Sequence, residues 1–218
     1  MSVVLRALAR IYGAIVSVRG WLYDRGLLAT YKSNLPVVSI GNVTAGGNGK
    51  TPLCLFVADA LKAKGLRPAI VSRGYGGTVR GPHRVTDTDR PREVGDEPVL
   101  MARHGHPVYI ARRRVGAVKL IEREASADVI VLDDGLQHRS LCRDVDIVSI
   151  FAGTNEAVEN FIKGELLPLG LFRDNRSIAL TRHSGFSRWV VALIFQRDRS
   201  QPSPRLLIRL RSSSLFDH

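Results

Sequence analysis

The spacing of apolar residues along this chain changes near residue 36. Over residues 3–24 they recur at three- and four-residue steps, which predicts an amphipathic helix. From residue 36 onward, short apolar runs bounded by turn residues alternate with longer helical segments. These patterns predict strands at 36–40, 68–72, 107–110, 128–132 and 145–150, and helices at 51–64, 96–103 and 112–124.

Strands that alternate with helices form a mostly parallel, doubly wound sheet with helices on both of its faces. We therefore expect an α/β fold with an N-terminal amphipathic helix. Residues 73–95 are rich in glycine, arginine and aspartate and are expected to form a long loop. Asp96 is a candidate cap for the helix that follows this loop.

The alternation stops before residues 175–218, which carry one apolar run at 190–195. This segment fits a disordered basic tail, a short pair of strands, or an end that conforms poorly to the α/β pattern. The expected organisation is therefore an N-terminal helix at 1–35, a core at 36–174 and a basic tail at 175–218.

Charge is the unusual bulk property of the sequence. Its 218 residues have an ordinary hydrophobic content of 44%, yet they carry a net charge of +12 and a pI near 10.5. Most of the excess lies at the two ends, with +4 over residues 1–35 and +6 over residues 175–218. This excess predicts an anionic partner, such as a phospholipid surface, a phosphorylated substrate or nucleic acid.

Other classes of protein fit the sequence poorly. The two cysteines, Cys54 and Cys142, lie far apart and outside any CxxC pair, so we expect neither a disulfide framework nor a zinc site, and a reducing cytosol fits. No apolar stretch reaches the roughly 18 residues of a transmembrane helix. Arg6, Arg10 and Arg19 interrupt the N-terminal apolar run, which argues against a signal peptide.

A glycine-rich loop lies between the first predicted strand and the next helix, which is the context that a phosphate-binding loop requires. It reads Thr44-Ala45-Gly46-Gly47-Asn48-Gly49-Lys50-Thr51, with a threonine in place of the usual first glycine. In such a loop, backbone N–H groups surround phosphate oxygens, the lysine reaches the β- and γ-phosphates of ATP, and the final hydroxyl ligates Mg²⁺. The expected fold is therefore P-loop NTPase-like.

Acidic residues lie at two further points of the predicted sheet. Asp133 and Asp134 end an apolar strand, at the edge where doubly wound sheets bind ligands, and one carboxylate there is suited to Mg²⁺. Asp96 and Glu97 open a helix within Gly95-Asp96-Glu97-Pro98. They are candidates for a base and a metal-associated group, although a helix cap and a first-turn acid are the simpler explanation of this pair.

Two loops near the same edge carry further candidates. Arg73 and Tyr75, in Ser72-Arg73-Gly74-Tyr75-Gly76-Gly77, offer a cation and an aromatic ring to a substrate. His138 follows the aspartate pair and has either a structural or a catalytic role. His104 and His106 are close in sequence but have no evident companion ligand, so we expect no metal there.

Together these segments resemble the tetraacyldisaccharide 4′-kinase family, the lipid A kinases of Gram-negative bacteria. The resemblance covers roughly residues 10–170, and a threonine at position 44 is usual in that family. The basic N-terminal helix with Trp21-Leu22-Tyr23 matches as well. The motifs that carry the resemblance are Gly41-Asn42-Val43-Thr44-Ala45-Gly46-Gly47-Asn48-Gly49-Lys50-Thr51-Pro52, Val71-Ser72-Arg73-Gly74-Tyr75-Gly76-Gly77, Gly95-Asp96-Glu97-Pro98 and Asp133-Asp134-Gly135-Leu136-Gln137-His138.

The resemblance implies transfer of the γ-phosphate of ATP, with Mg²⁺, to the 4′-hydroxyl of a lipid A disaccharide 1-phosphate. It also implies a monotopic enzyme on the cytoplasmic face of the bacterial inner membrane, with residues 3–24 on its anionic surface. Periodicity alone favours packing of this helix on its own domain instead. The implied roles are a base at Asp96, a catalytic site completed by Lys50, Asp134 and His138, and metal contacts from Glu97, Asp133 and Thr51.

The match weakens towards the end of the sequence. The family's Leu-Pro-x-Gly-Pro-Leu-Arg-Glu appears here as Leu167-Pro168-Leu169-Gly170-Leu171-Phe172-Arg173-Asp174. Family members continue into a second lobe, in which a histidine pairs with the base. We therefore expect a truncated or frame-shifted product that binds ATP but transfers phosphate poorly.

Two other functions stay open at this point. A P-loop ATPase or GTPase switch would share the loop, but the guanine-reading Asn-Lys-x-Asp is absent. A basic nucleic-acid-binding module would share the charge, but the basic ends lack a recognisable motif and aromatic residues make up only 6% of the sequence. We therefore expect no nucleic-acid partner.

Overall fold

The computed structural model describes residues 3–41, 49–136, 138–151, 189–196 and 205–212. These residues form five helices and eight strands. The helices are α1 (Val3–Asp24), α2 (Lys50–Ala63), α3 (Pro91–Val94), α4 (Asp96–Arg103) and α5 (Arg114–Glu124). The strands are β1 (Val37–Gly41), β2 (Pro68–Ser72), β3 (His83–Arg84), β4 (Val108–Ile110), β5 (Val129–Asp133), β6 (Val145–Phe151), β7 (Trp189–Gln196) and β8 (Arg205–Ser212).

All eight described strands belong to one sheet, in the order β3-β4-β2-β5-β1-β6-β7-β8. Every pairing from β4 to β7 is parallel, and only the two edge strands, β3 and β8, pair in the antiparallel sense. The expected mostly parallel α/β sheet is therefore confirmed. Of the alternatives for residues 175–218, the described part of that segment contains the strand pair β7–β8.

Helices cover both faces of this sheet. Alternate residues of each buried strand face opposite sides, because side chains along a strand alternate. Ile70 and Val131 belong to one core cluster, together with apolar residues of α2 and α4. Val71 and Leu132 belong to a second cluster, together with apolar residues of α5. This arrangement explains why β2, β4 and β5 are buried along their whole length rather than at alternate residues.

The register of three neighbouring strands brings polar groups to one edge of the sheet. Ile40 of β1 pairs with Asp133 of β5, and Val71 of β2 pairs with Leu132. Ser72 therefore ends β2 beside Asp133, and β1 ends on the other side of it. Ligands bind at this carboxyl edge in doubly wound sheets.

The segment before α4 differs from the expected long loop. It contains β3 and the short helix α3, which begins at Pro91; the Glu93 carboxylate accepts the backbone N–H of Arg90 at 3.0 Å. The expected cap of α4 is also wrong, because Gly95 occupies that position and no side chain caps the helix. Gly95 has φ 98°, and a β-carbon there would lie 2.6 Å from the carbonyl oxygen of Tyr75. Packing against the preceding loop therefore selects glycine.

Helix α1 has the bounds that its periodicity predicts, but the middle of its apolar stripe is exposed. Ile11, Ile15 and Val18 are 57%, 62% and 57% exposed, and Gly20 is the one buried position among residues 10–23. The Arg139 guanidinium donates to the carbonyl of Gly20 at 3.4 Å and ties the last turns of the helix to the domain. Among the described helices, none combines the length and apolar character needed to cross a bilayer.

The close approach of β1 to the segment after β5 gives a prediction about stability. A β-carbon at Gly41 would lie 2.6 Å from the β-carbon of Leu136, so Gly41→Ala forces backbone or side chain to shift. We expect a loss of about 1–3 kcal/mol in the free energy of unfolding, measured by urea titration. Gly81→Ala is the control, because nothing lies within 4 Å of a β-carbon there. Equal unfolding free energies for the two variants would contradict the register described for β1 and β5.

Candidate functional site

Asp133 lies at the centre of the carboxyl edge and is almost completely buried. Its Oδ2 accepts a hydrogen bond from Ser72 Oγ at 3.0 Å, whereas its Oδ1 is buried with no hydrogen-bond partner in the described part of the chain. Burial, helped by the negative charge of Glu97, raises the pKa of Asp133 to about 6; the Ser72 hydrogen bond and Lys50 oppose this rise. One oxygen of this carboxyl is therefore available to a ligand.

Lys50 brings a positive charge to the aspartate pair. It is the first residue of α2, and Gly49 before it has φ 66°, a conformation that glycine adopts without strain. Lys50 Nζ lies 3.1 Å from Asp134 Oδ1, with the two side chains only 15% and 33% exposed. Asp134 itself has φ 50°, in the left-handed region that aspartate tolerates better than most residues. The start of α2 and the end of β5 are thus joined by an ion pair.

Arg114 is a residue of this site that the sequence did not reveal. It is the first residue of α5 and is 2% exposed, with Nε and Nη1 buried and without hydrogen-bond partners among the described residues. Burial lowers the pKa of Arg114 to about 10, while Asp134 and Asp133 favour its charged form, so it is a cation at neutral pH. A cation at a helix N-terminus opposes the helix dipole. These unfavourable features are relieved by an anion bound beside it.

His138 lies half-buried near the same charges. Burial, followed by the charge of Arg114, lowers the pKa of His138 to about 4, and Asp134 opposes this effect. The imidazole is therefore neutral at pH 7. The turn that carries it is held by two hydrogen bonds, from His138 N to the Gly135 carbonyl at 2.9 Å and from Arg143 Nη1 to the His138 carbonyl at 3.1 Å.

The two acids at the start of α4 have different surroundings. Both are exposed, but Glu97 is close enough for its charge to raise the pKa of Asp133 and of the buried Cys54 thiol. Asp96 follows Gly95, which packs against the backbone of Tyr75. The charge of Glu97 thus reaches Asp133, whereas Asp96 is exposed and follows the glycine that packs on the Tyr75 loop.

Arg73 and Tyr75 border a cavity of about 460 Å³ beside this cluster. The charge of Arg73 contributes to the lowered pKa values of Arg114 and His138, so this loop adjoins the site. Tyr75 is 81% exposed and its ring is therefore free to contact a substrate.

Part of the predicted phosphate-binding loop lies outside the described residues, as does Gln137. The residues concerned are Thr44, Ala45, Gly46, Gly47 and Asn48. Gly49, Lys50 and the half-buried Thr51 are described, and they open α2 directly beside the aspartate pair.

The two neighbouring histidines do have a companion, which the sequence did not indicate. His106 Nε2 lies 2.9 Å from Asp59 Oδ1, and His104 Nε2 lies 3.6 Å from Asp59 Oδ2. In the part of the chain that the structure describes, no three histidine, cysteine, aspartate or glutamate residues are grouped so as to hold a metal ion. The three residues join the far ends of α2 and α4 instead.

A parallel sheet in which a Gly-Lys-Thr helix start meets two aspartates at the end of the adjacent strand defines a P-loop NTPase-like protein. The family model LpxK, tetraacyldisaccharide-1-P 4′-kinase, matches residues 1–201, and the chain belongs to this family. The family model therefore matches more of the chain than the motifs alone, which cover roughly residues 10–170.

Relatives and a solved structure agree with this assignment. The chain is 40% identical over 172 residues to a tetraacyldisaccharide 4′-kinase of Aeromonas salmonicida, covering 78% of this chain and 50% of the relative. It is 42% identical over 182 residues to one of Chlorobaculum parvum, covering 79% and 49%. It is 30% identical to "apo" form LpxK from Aquifex aeolicus in complex with ATP, with a TM-score of 0.69 over 88% of this chain and 64% of that one. The chain spans about half the length of the curated relatives it matches.

The raised pKa of Asp133 predicts how stability depends on pH. Because the folded state binds this proton more tightly than the unfolded state does, Asp133 lowers stability as pH rises from about 4 to about 6. Asp133→Asn removes this effect and should be more stable than the wild type at pH 7.5, by up to about 3 kcal/mol, with the difference vanishing near pH 4.

Urea unfolding at pH 4, 6 and 7.5 measures this difference. The control is Asp128→Asn, because a hydrogen bond from Arg67 lowers the pKa of Asp128 and the expected sign is opposite. A pH-independent offset between Asp133→Asn and the wild type would show that Asp133 does not titrate in this range.

Proposed function

We propose that this chain binds ATP with Mg²⁺ at the carboxyl ends of β1, β2 and β5 and transfers the γ-phosphate to the 4′-hydroxyl of a lipid A disaccharide 1-phosphate. The observation that carries the proposal is the meeting of Lys50, at the start of α2, with Asp133 and Asp134 at the end of β5. Membership of the tetraacyldisaccharide-1-P 4′-kinase family supports the reaction. The ATP complex of the Aquifex aeolicus relative supports the nucleotide.

Two buried cations are suited to the phosphates of the nucleotide. Lys50 presents an ammonium group at the N-terminus of α2, where backbone N–H groups and the helix dipole also attract anions. Arg114 presents two buried guanidinium nitrogens that have no partner within the described residues. A polyphosphate beside both would satisfy these donors and replace the pairing of Lys50 with Asp134.

The oxygen groups at the site fit Mg²⁺. Asp133 Oδ1 is buried without a partner in the described residues, Glu97 lies nearby, and Thr51 opens α2 with a hydroxyl. Mg²⁺ prefers oxygen ligands and usually keeps several waters and substrate phosphates rather than a full protein cage, which agrees with so few protein ligands. Bound there, it would neutralise charge that develops on the transferred phosphoryl group.

Asp96, the first residue of α4, is the proposed base that acts on the acceptor. As a base it takes the proton of the acceptor hydroxyl while that oxygen forms its bond to phosphorus and the bond to the ADP oxygen breaks. Transfer requires the hydroxyl to lie within about 3–3.5 Å of phosphorus and in line with the leaving oxygen. Tyr75, whose backbone lies next to Gly95, and Arg73 on the same loop would orient the sugar for this step.

Helix α1 supports a peripheral position on an anionic membrane surface, which we propose to be the cytoplasmic face of the inner membrane. Its apolar stripe is exposed, and aromatic residues with neighbouring arginines lie near its end. The Arg25 guanidinium lies 5.2 Å from the ring of Trp21, and the Arg19 guanidinium lies 5.8 Å from the ring of Tyr23. Apolar area, interfacial aromatics and basic charge together are what hold a helix in the plane of a membrane.

Lys50→Ala tests whether the described cluster is the phosphate site. The variant loses the ammonium group that would contact the β- and γ-phosphates, so we expect at least about 100-fold slower transfer of labelled phosphate from ATP to the disaccharide 1-phosphate in detergent. Lys64→Ala is the control, since Lys64 is exposed at the other end of α2. If the two variants turn over equally, phosphoryl transfer does not take place at this site.

The membrane proposal is tested by placing charges on the exposed stripe. The double variant Ile11→Asp with Ile15→Asp removes two apolar side chains worth about 1.5–3 kcal/mol each when buried, and adds two negative charges. We expect it to stay in the supernatant when the wild type sediments with phosphatidylglycerol vesicles. Leu66→Asp, at an exposed apolar residue after α2, should sediment normally. Sedimentation of the double variant like the wild type would mean that α1 is only structural.

A further inference from the structure

The last turns of helix α1 lie against the turn that carries His138. The buried guanidinium of Arg139 donates to the carbonyl of Gly20 at 3.4 Å, and a β-carbon at Gly20 would lie 3.3 Å from Arg139 Nη1. Glycine weakens the interior of a helix relative to most other residues. Its place in α1 is therefore explained by the room that the guanidinium takes.

The segment that follows α1 holds the same turn at further points. Thr30 Oγ1 donates to the Arg139 carbonyl at 3.3 Å. The Tyr31 N–H donates to the Ser140 carbonyl at 2.9 Å, and the Cys142 N–H donates to the Tyr31 carbonyl at 2.8 Å. The helix and its C-terminal connection are thus attached to one short stretch of chain, Arg139 by its side chain and the rest mainly by backbone hydrogen bonds.

This turn is in turn fixed to the candidate site. Gly135 directly follows Asp134 at the end of β5, and Arg143 Nη1 donates to the carbonyls of Gly135 at 3.5 Å and His138 at 3.1 Å. Burial is the main cause of the lowered pKa of His138, and the cation of Arg19 in α1 adds to it. The end of α1 therefore lies within electrostatic reach of the site and is connected to it through one ordered turn.

The contact at Gly20 also sets the rotation of α1 about its own axis. With about 3.6 residues per turn, Ile11, Ile15 and Val18 lie on the side of the helix opposite Gly20. All three are more than half exposed. The guanidinium thus holds the helix so that its apolar stripe points away from the domain.

We propose that Arg139 is a positioning residue, whose contact with Gly20 keeps the membrane-bound helix α1 and the site in one fixed relative orientation. The inference rests on the proposed function and on the proposed membrane position of α1. An acceptor whose acyl chains stay in the bilayer presents its hydroxyl at a set depth, and transfer is sensitive to misplacement of about 1 Å. A helix that rotates freely binds the same membrane but presents the site in many orientations.

The test compares Arg139→Gln with the wild type on two acceptors. One is the disaccharide 1-phosphate with full-length acyl chains in phosphatidylglycerol vesicles, and the other is a short-chain form of it that dissolves in water. We expect kcat on the vesicle acceptor to fall at least about tenfold. The kcat on the soluble acceptor, the KM for ATP and sedimentation with vesicles should stay unchanged. Arg123→Gln is the matched control, because it removes the same charge at an exposed position of α5.

Gly20→Leu disturbs the same contact from the helix side. Leucine displaces the guanidinium yet favours a helix more than glycine does, so the loss on vesicles should recur although α1 itself is not weakened. Equal losses on both acceptors, or no loss on either, would overturn the proposal. So would loss of sedimentation in Arg139→Gln, because Arg139 would then serve only to keep the helix folded.

A measurement of orientation does not depend on turnover. A dye on Lys64→Cys, in a Cys142→Ser background that leaves only the buried Cys54, transfers energy to a dye in the vesicle headgroups. We expect one narrow distribution of distances with Arg139 present and a broad one in Arg139→Gln. If the wild type transfers phosphate to neither acceptor but shows this difference, the proposed function fails while the positioning role stands. Equal distributions in the two proteins contradict the positioning role.

Discussion

The parallel register of β1, β2 and β5 is the constraint on which the rest of the site depends. It places Asp133 beside Ser72 on one side and, on the other, beside the end of β1, the strand that precedes α2 in the chain. The result is a buried carboxyl whose ionisation is unfavourable, held next to a lysine and an arginine that are also shielded from water. Within the described part of the chain, one carboxyl oxygen of Asp133 and two nitrogens of Arg114 remain without partners. Under the proposed function, a polyphosphate with a divalent cation would satisfy all of these atoms at once, whereas either ion alone would leave part of the cluster unbalanced.

The positive charge of the chain agrees with the proposed function. A net charge of +12 is costly in self-repulsion unless anions are bound, and the proposed function gives two places for them. These are the neighbourhood of Lys50 and Arg114 for nucleotide phosphates, and helix α1 for an anionic membrane surface. The contact of Arg139 with Gly20 fixes α1 to the loop that carries His138.

Much of the fold could be predicted from the local pattern of the sequence. The features that could not be predicted are those that depend on tertiary contacts. The bounds of β2 and α4 were predicted correctly, because an apolar run or a periodic segment ends there at turn residues. Lys50, Asp133 and Asp134 were found because a loop motif and a strand end carry their own signals. Arg114 was missed, since an arginine run at a helix start resembles a solvated surface until the sheet order brings it to the aspartate pair. The cap at Gly95 was missed for the same reason: only the packed Tyr75 loop requires glycine there.

In the proposed function, the cluster at the end of β5 binds a nucleotide polyphosphate together with a cation. Calorimetric titration with ATP, carried out with Mg²⁺ and again with a chelator, tests it most directly in the wild type and in Asp133→Asn. We predict that Mg²⁺ tightens ATP binding at least about tenfold in the wild type, that most of this gain is lost in Asp133→Asn, and that GTP binds more weakly than ATP. The account is contradicted if ATP binds equally well without Mg²⁺, or if the gain is the same in the variant.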